Sequence, residues 1–173
     1  IMHLILQDSG LKDANPAPYF NVLYQVAEMG RYGQKTGSGF HVYEKGNRTP
    51  IPDPKVIEII EQEAEKLNIT RTPLADAEIE QRCVLGLINE GAKILEEGIA
   101  YRPGDIDVIW SFGYGFPRFR GGPMYMADQI GSKALLAKIK DLQERFGNYW
   151  KPAPLLDELA KDGKTFAEWS LAR

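Results

Sequence analysis

Two small groups of basic side chains in glycine-rich surroundings are where this 173-residue sequence could meet an anion. Arg118 and Arg120 flank Phe119 inside "SFGYGFPRFRGGPMYMAD", residues 111–128, and Arg31 stands with Lys35 in "GRYGQKTGSGF". A guanidinium is a planar fork of donors that matches a phosphate or carboxylate, so either group could hold an anionic ligand such as a nucleotide diphosphate. In such turns the same side chains also hydrogen-bond helix C-terminal carbonyls and stack on aromatic rings, and this structural use is the favoured one. Arg31, Lys35, Arg118, Phe119 and Arg120 are the substrate or interface candidates.

Glycine spacing decides against a nucleotide loop. A phosphate loop of the Gly-Lys type needs glycine immediately before its lysine, but Gln34 precedes Lys35. A dinucleotide fingerprint opening at Gly37 or Gly113 would need its third glycine at Val42 or Arg118. Tight turning between packed elements accounts for both clusters. His3 and His41 lie far apart, neither with a carboxylate or cysteine at metal-ligand spacing, so no metal site and no catalytic histidine is expected. His41, in "GFHVYE", is expected on the exposed side of an extended strip. Cys83, in "CVLGLINEGAKIL", has no neighbour that would depress its pKa and is expected as a small core residue. "DAEIE", Asp76 to Glu80, places negative charge in the first turns of a helix, where it offsets the dipole.

Composition narrows the classes further. Twenty-one Lys and Arg against 24 Asp and Glu give a net charge of −3, so no global positive field exists to gather nucleic acid. The single cysteine excludes an internal disulfide and suits a reducing compartment, with cytoplasm the default expectation. No run approaches the roughly 18 apolar residues of a membrane span, and the opening "IMHLILQDSG" is too short for a signal peptide, so no membrane insertion is expected. A chain that opens on Ile1 reads as a fragment or a processed product. Its end at Arg173, without a Ser-Lys-Leu address, also points to the cytoplasm.

The elements that must position these residues are mostly helices. Pro18 to Met29 spaces its apolar residues helically and is followed by Gly30. A short extended segment is expected near residues 39–44, then a polar, proline-bearing linker over 44–53, with the domain boundary set at 46–52. Asp53 and Pro54 start a helix whose expected buried stripe is Val56, Ile57, Ile60, Ala64 and Leu67. Thr72 and Pro73 start a long central helix over 73–97, with Val84, Leu87, Ile88, Gly91 and Leu95 on one face and Gly98 as its stop. Helices from Pro103, from Pro123 to Gly131, from a Ser132 cap to Phe146, and over "PLLDELAKDG" complete an all-α bundle.

"GRYGQKTGSGFHVYE", "INEGAKILEEGIAYRPGDIDVIWSFGYGFPRFRGGPMYMAD" and the closing "KTFAEW" together resemble the C-terminal part of multifunctional fatty-acid β-oxidation enzymes. Those enzymes join enoyl-CoA hydratase and L-3-hydroxyacyl-CoA dehydrogenase in one polypeptide. The resemblance implies an all-α bundle of the 3-hydroxyacyl-CoA dehydrogenase C-terminal type. Residues 1–45 would be the tail of a first helical domain, 46–52 a linker and 53–173 a second helical domain. It further implies NAD bound by a Rossmann domain outside this chain, acyl-CoA as the substrate of the parent, and the Rossmann and hydratase domains as partners. The family's catalytic histidine motif, "HFFNP", is absent, and Gln81 stands where the family's catalytic domain has Asn, so neither catalytic nor cofactor-binding residues are assigned. His41 stands where the family usually has Tyr or Phe.

Under that resemblance the chain braces the catalytic domains and is inactive alone. The loop at 111–123 then serves packing and docking, with Phe112, Tyr114, Phe116 and Phe119 supplying contact area. The alternative reading is a free-standing helical module that binds acyl-CoA or a protein partner through the same loop.

Overall fold

A computed structural model describes residues 20–172; the expected helix start at Pro18, and His3, lie outside the described residues. The chain divides between Pro73 and Leu74 into two compact units.

In the N-terminal unit, helix α1 (Asn21–Glu28) buries Val26 and Ala27, and the chain turns away at Gly30, whose φ is +72°. A single 3-10 turn at Gln34–Thr36 leads into strand β1 (His41–Val42). Strand β1 pairs antiparallel with β2 (Ile51–Pro52), His41 opposite Pro52 and Val42 opposite Ile51. The extended segment expected near 39–44 is therefore present, and part of the expected linker forms its partner strand.

Helix α2 (Pro54–Lys66) starts as its residues dictate: Asp53 accepts a hydrogen bond from the Lys55 N–H at 2.9 Å, and proline occupies the first position. Its packing differs from the expected stripe. Val56 is buried, but Ile57 and Leu67 are exposed, and the other fully buried side chain is Glu63. The reason is polar: the Glu63 carboxylate accepts from Asn21 at 3.1 Å and Gln25 at 2.9 Å, both on α1, and from Lys66 at 2.6 Å. Helix α2 thus belongs to the N-terminal unit, and the compact units part some twenty residues after the segment 46–52.

The C-terminal unit is built on helix α3 (Asp76–Glu96). It begins later than Thr72 and Pro73 suggest, because Ala75 is still extended, and it stops before Gly98 at φ +71°. Its buried face runs through Leu85, Ile88, Asn89, Gly91, Ala92 and Leu95, while Val84 and Leu87 sit only half-buried at its margins. Cys83 is exposed, contrary to expectation, because it points away from this face.

Around α3 stand α4 (Pro103–Gly113), α5 (Pro123–Ile130), α6 (Ser132–Phe146), α7 (Pro154–Asp162) and α8 (Phe166–Leu171). They enclose one core in which Ile106, Met124, Leu135, Ile139, Leu156, Leu159 and Phe166 meet the α3 face. Gly91 is required there, since a β-carbon would come within 2.6 Å of the Met124 sulfur. Ser132 does not cap α6; Gly131 takes that position, and the Ser132 hydroxyl donates to the Leu159 carbonyl at 3.2 Å. The all-α architecture expected of the chain holds, and among the described residues its strands are confined to β1 and β2.

Candidate functional site

The segment 103–128 is organised by carboxylates rather than by its arginines. Helix α5 begins at Gly122 and Pro123, so its first turn has backbone donors and no side chain at the cap position to receive them. Asp107 of α4 supplies the acceptors, taking the Met124 N–H on one oxygen at 2.7 Å and the Tyr125 N–H on the other at 3.1 Å. Gly122, at φ +131°, lies so close that a β-carbon would fall 2.3 Å from the Asp107 carboxylate. The device repeats one helix later, where Asp128 of α5 accepts from Phe166 at 2.7 Å and Ala167 at 3.1 Å at the start of α8. A capping box between Thr165 and Glu168 receives the next donor of α8.

Burial pushes the Asp107 and Asp128 carboxyls above the usual aspartate range, and the two backbone donors at each pull the other way. Sequence reasoning did not find these residues. For Asp107 the one signal was a glycine, Gly122, in the capping position of α5; α8 opens on Thr165 and gives no such signal for Asp128.

With the backbone fixed in this way, the loop candidates are engaged by their own chain. The Arg118 guanidinium lies 4.3 Å over the Phe112 ring, and Arg120 pairs with Glu80 of α3 and lies 5.8 Å from the Phe119 ring centre. Phe119 itself is 87% exposed. The ring packing expected of this loop is made only in part within the unit: Phe116 is half-buried and Tyr114 tilts against Trp110 at 5.0 Å, while Phe112 is 68% and Tyr114 73% exposed. Val108 and Ile109 are also exposed, so α4 buries Ile106 and Ser111 on one side and offers an apolar strip on the other.

The two remaining candidates part company in the N-terminal unit. Arg31 is spent on structure, its Nη2 2.5 Å from Asp53 and its Nε donating to the Gly39 carbonyl at 2.9 Å, which ties the glycine loop to the start of α2. This arginine also holds the Asp53 carboxyl below its usual range. Lys35 is exposed and lines an open cavity of about 570 Å³ with Gln34, Tyr43, Glu44, Lys45 and Arg48. His41 is exposed on its strand, as expected. Gln81 is exposed at the rim of a separate groove of about 430 Å³ floored by Val84, Leu85 and Met126.

Comparison with known proteins adds the family. The profile of the family described as 3-hydroxyacyl-CoA dehydrogenase, C-terminal domain, matches residues 79–168, a stretch that runs from the first turn of α3 into α8. The chain belongs to that family. Among its relatives is the peroxisomal bifunctional enzyme of Danio rerio, 40% identical over 80% of this chain and 20% of that protein. A peroxisomal fatty acid β-oxidation multifunctional protein of Arabidopsis thaliana is 34% identical over 86% of this chain and 21% of its own length. The peroxisomal bifunctional enzyme of Homo sapiens is 36% identical over 83% and 20%.

This member of the dehydrogenase C-terminal family thus spans about a fifth of the length of the curated relatives it matches. Their names overturn the cytoplasmic location expected from the lone cysteine and the terminal residues. A reducing environment does not single out the cytoplasm, and the residue at which this sequence stops decides no address. Among the described residues no helix is long and apolar enough to cross a membrane.

Proposed function

We propose that this chain is the C-terminal helical part of an NAD-dependent L-3-hydroxyacyl-CoA dehydrogenase of fatty-acid β-oxidation, carried within a multifunctional peroxisomal polypeptide. Its role there is to brace the catalytic domains. NAD and the acyl-CoA reaction centre belong to domains outside the chain, and residues 1–45 are the tail of a first helical domain that precedes the second.

The observation that carries this reading is the outer strip of α4 and its loop: Val108, Ile109 and Phe112 stand exposed on a helix whose other side is fixed in the core, and Phe119 stands exposed on the turn that follows. Large apolar side chains exposed together along one side of a helix mark a place where another surface docks. Burying one such ring contributes about 1.5–3 kcal/mol, a substantial contribution to holding a neighbouring domain. The arginines of the loop support the same reading, since Arg118 and Arg120 present aromatic and paired surfaces rather than free cations.

Hydride transfer needs a nicotinamide site and a proton-transfer pair held against the substrate, and His41, the one histidine among the described residues, is exposed on a two-residue strand. Purified chain mixed with NADH and acetoacetyl-CoA is therefore expected to leave the absorbance at 340 nm unchanged. Turnover above a blank would overturn the assignment.

A further inference from the structure

The cavity at Lys35 has a composition that the bracing role does not explain. Its lining carries three cations, Lys35, Lys45 and Arg48, against the single carboxylate of Glu44, in a chain whose overall charge is −3. Among the described residues every arginine of the loop at 111–123 is stacked or paired, and Arg31 is paired with Asp53, but none of these three cations takes part in an ion pair. Three like charges gathered around one hollow repel one another, and an anion between them removes that cost.

The frame that gathers them is fixed. Gly37, at φ +76°, receives the Tyr43 N–H on its carbonyl at 2.9 Å, and the Thr36 hydroxyl accepts from Tyr32 at 2.9 Å, so the turn bearing Lys35 is tied to the end of β1. The β1–β2 pairing closes the segment 43–50 as a loop, and the Asn47 N–H bonds to the Glu44 carbonyl at 3.0 Å, a tight turn that bears Lys45 and is followed directly by Arg48. Arg31, bonded to Gly39 and Asp53, anchors the same loop to α2.

We infer that this cavity is a binding site for the phosphorylated nucleotide end of an acyl-CoA, with Lys35, Lys45 and Arg48 as its phosphate ligands. The choice of CoA among phosphate compounds rests on the proposed function. The site itself rests on the three unpaired cations around one hollow. Its volume of about 570 Å³ lies within the range of roughly 300–1,000 Å³ typical of small-molecule sites, large enough for an adenosine with its phosphates. Guanidinium and ammonium donors make charge-assisted bonds to phosphate oxygens, and Tyr43, half-buried in the wall, offers a ring beside them. No bond is made or broken there; the cavity would retain the handle of a substrate whose reacting end lies in another domain.

Calorimetric titration of the whole chain with CoA, dephospho-CoA and inorganic phosphate tests the site. CoA is expected to bind, to bind less tightly as salt is raised, and to exceed both dephospho-CoA and inorganic phosphate in affinity. The triple variant Lys35→Ala, Lys45→Ala, Arg48→Ala should weaken CoA binding by about tenfold or more with unchanged far-UV circular dichroism, since all three side chains are exposed. Arg118→Ala should leave it unaltered. Absence of CoA binding at low salt, an unchanged affinity in the triple variant, or equal binding of inorganic phosphate would each overturn the inference. The bracing role fails on a different result, NADH turnover by the chain alone, so the two can fall separately.

Discussion

Asp107 caps a helix it does not belong to, one of its carboxylate oxygens accepting the Met124 N–H at 2.7 Å across 17 residues of sequence. Together with the bond to Tyr125 it satisfies the first free donors of α5, and Asp128 does the same for α8. Replacing a capping acceptor by alanine costs about 0.5–2 kcal/mol. Asp107→Ala and Asp128→Ala are each expected to lower unfolding stability by about that amount, read as a shifted urea midpoint. A loss confined to a few tenths would mean that water replaces the carboxylate freely.

Gly122→Ala should be harsher. The position combines φ +131° with a β-carbon 2.3 Å from the Asp107 carboxylate, so strain and loss of the cap arrive together, and a cost of about 2–4 kcal/mol is expected. Gly104→Ala is its counterpart: it has open space around it inside α4 and should stabilise by about 0.5–1 kcal/mol. Thermal unfolding of the two variants side by side measures the contrast, and equal effects would contradict the geometry.

Asn89 is a polar side chain in the core face of α3, donating to the Lys151 carbonyl at 3.0 Å and accepting from the Ala153 N–H at 2.9 Å. These bonds fix the segment leading into α7. Asn89→Leu keeps the volume close but strands both backbone groups, which cost about 1–3 kcal/mol apiece when buried and unpaired. A destabilisation of about 2–4 kcal/mol is expected in denaturant titration. A neutral result would show that the segment can turn its polar groups to water.

Much of the fold was legible in the sequence because its helix limits are local. Pro54, Pro103, Pro123 and Pro154 each open a helix, and Gly30, Gly98, Gly131, Gly147 and Gly163 each follow one at positive φ. What escaped is long-range. Asp107 and Asp128 find their donors 17 to 39 residues away, and Asn89 finds its partners 62 and 64 residues away. The burial of Glu63 depends on two amides of α1, so periodicity alone favoured Ile57 and Leu67, which water covers. Of the basic candidates, sequence could name Arg118, Arg120 and Arg31 but not their partners, and it could not know that Lys45 and Arg48 would join Lys35.

Acid should destabilise the chain. Arg31 holds Asp53 low, Lys66 with Asn21 and Gln25 holds Glu63 low, Arg82 and Arg145 hold Glu78 low, and bonds from Thr165 hold Glu168 low. A depressed folded pKa contributes stability that is present above the unfolded value, about 3.8 for aspartate and 4.5 for glutamate, and is lost as pH falls through the folded value. Asp107 and Asp128 run in the opposite sense: their raised values contribute stability below 3.8 that is lost as pH rises through them. Melting temperatures recorded from pH 3 upward should climb steeply near about pH 4 and then level. Asn at 107 and 128 should remove the opposing contribution and steepen the climb; an unchanged profile would place both carboxyls near their ordinary values.

The most direct test of the bracing role is hydroxyl-radical footprinting of Phe112 and Phe119 in this chain alone and in the longer multifunctional polypeptide proposed to carry it. Both rings are expected to be labelled readily in the isolated chain and protected severalfold in the longer protein, with Tyr149, on the same unit, as an exposed reference ring. Equal labelling of Phe112 and Phe119 in the two samples would contradict docking through α4 and its loop.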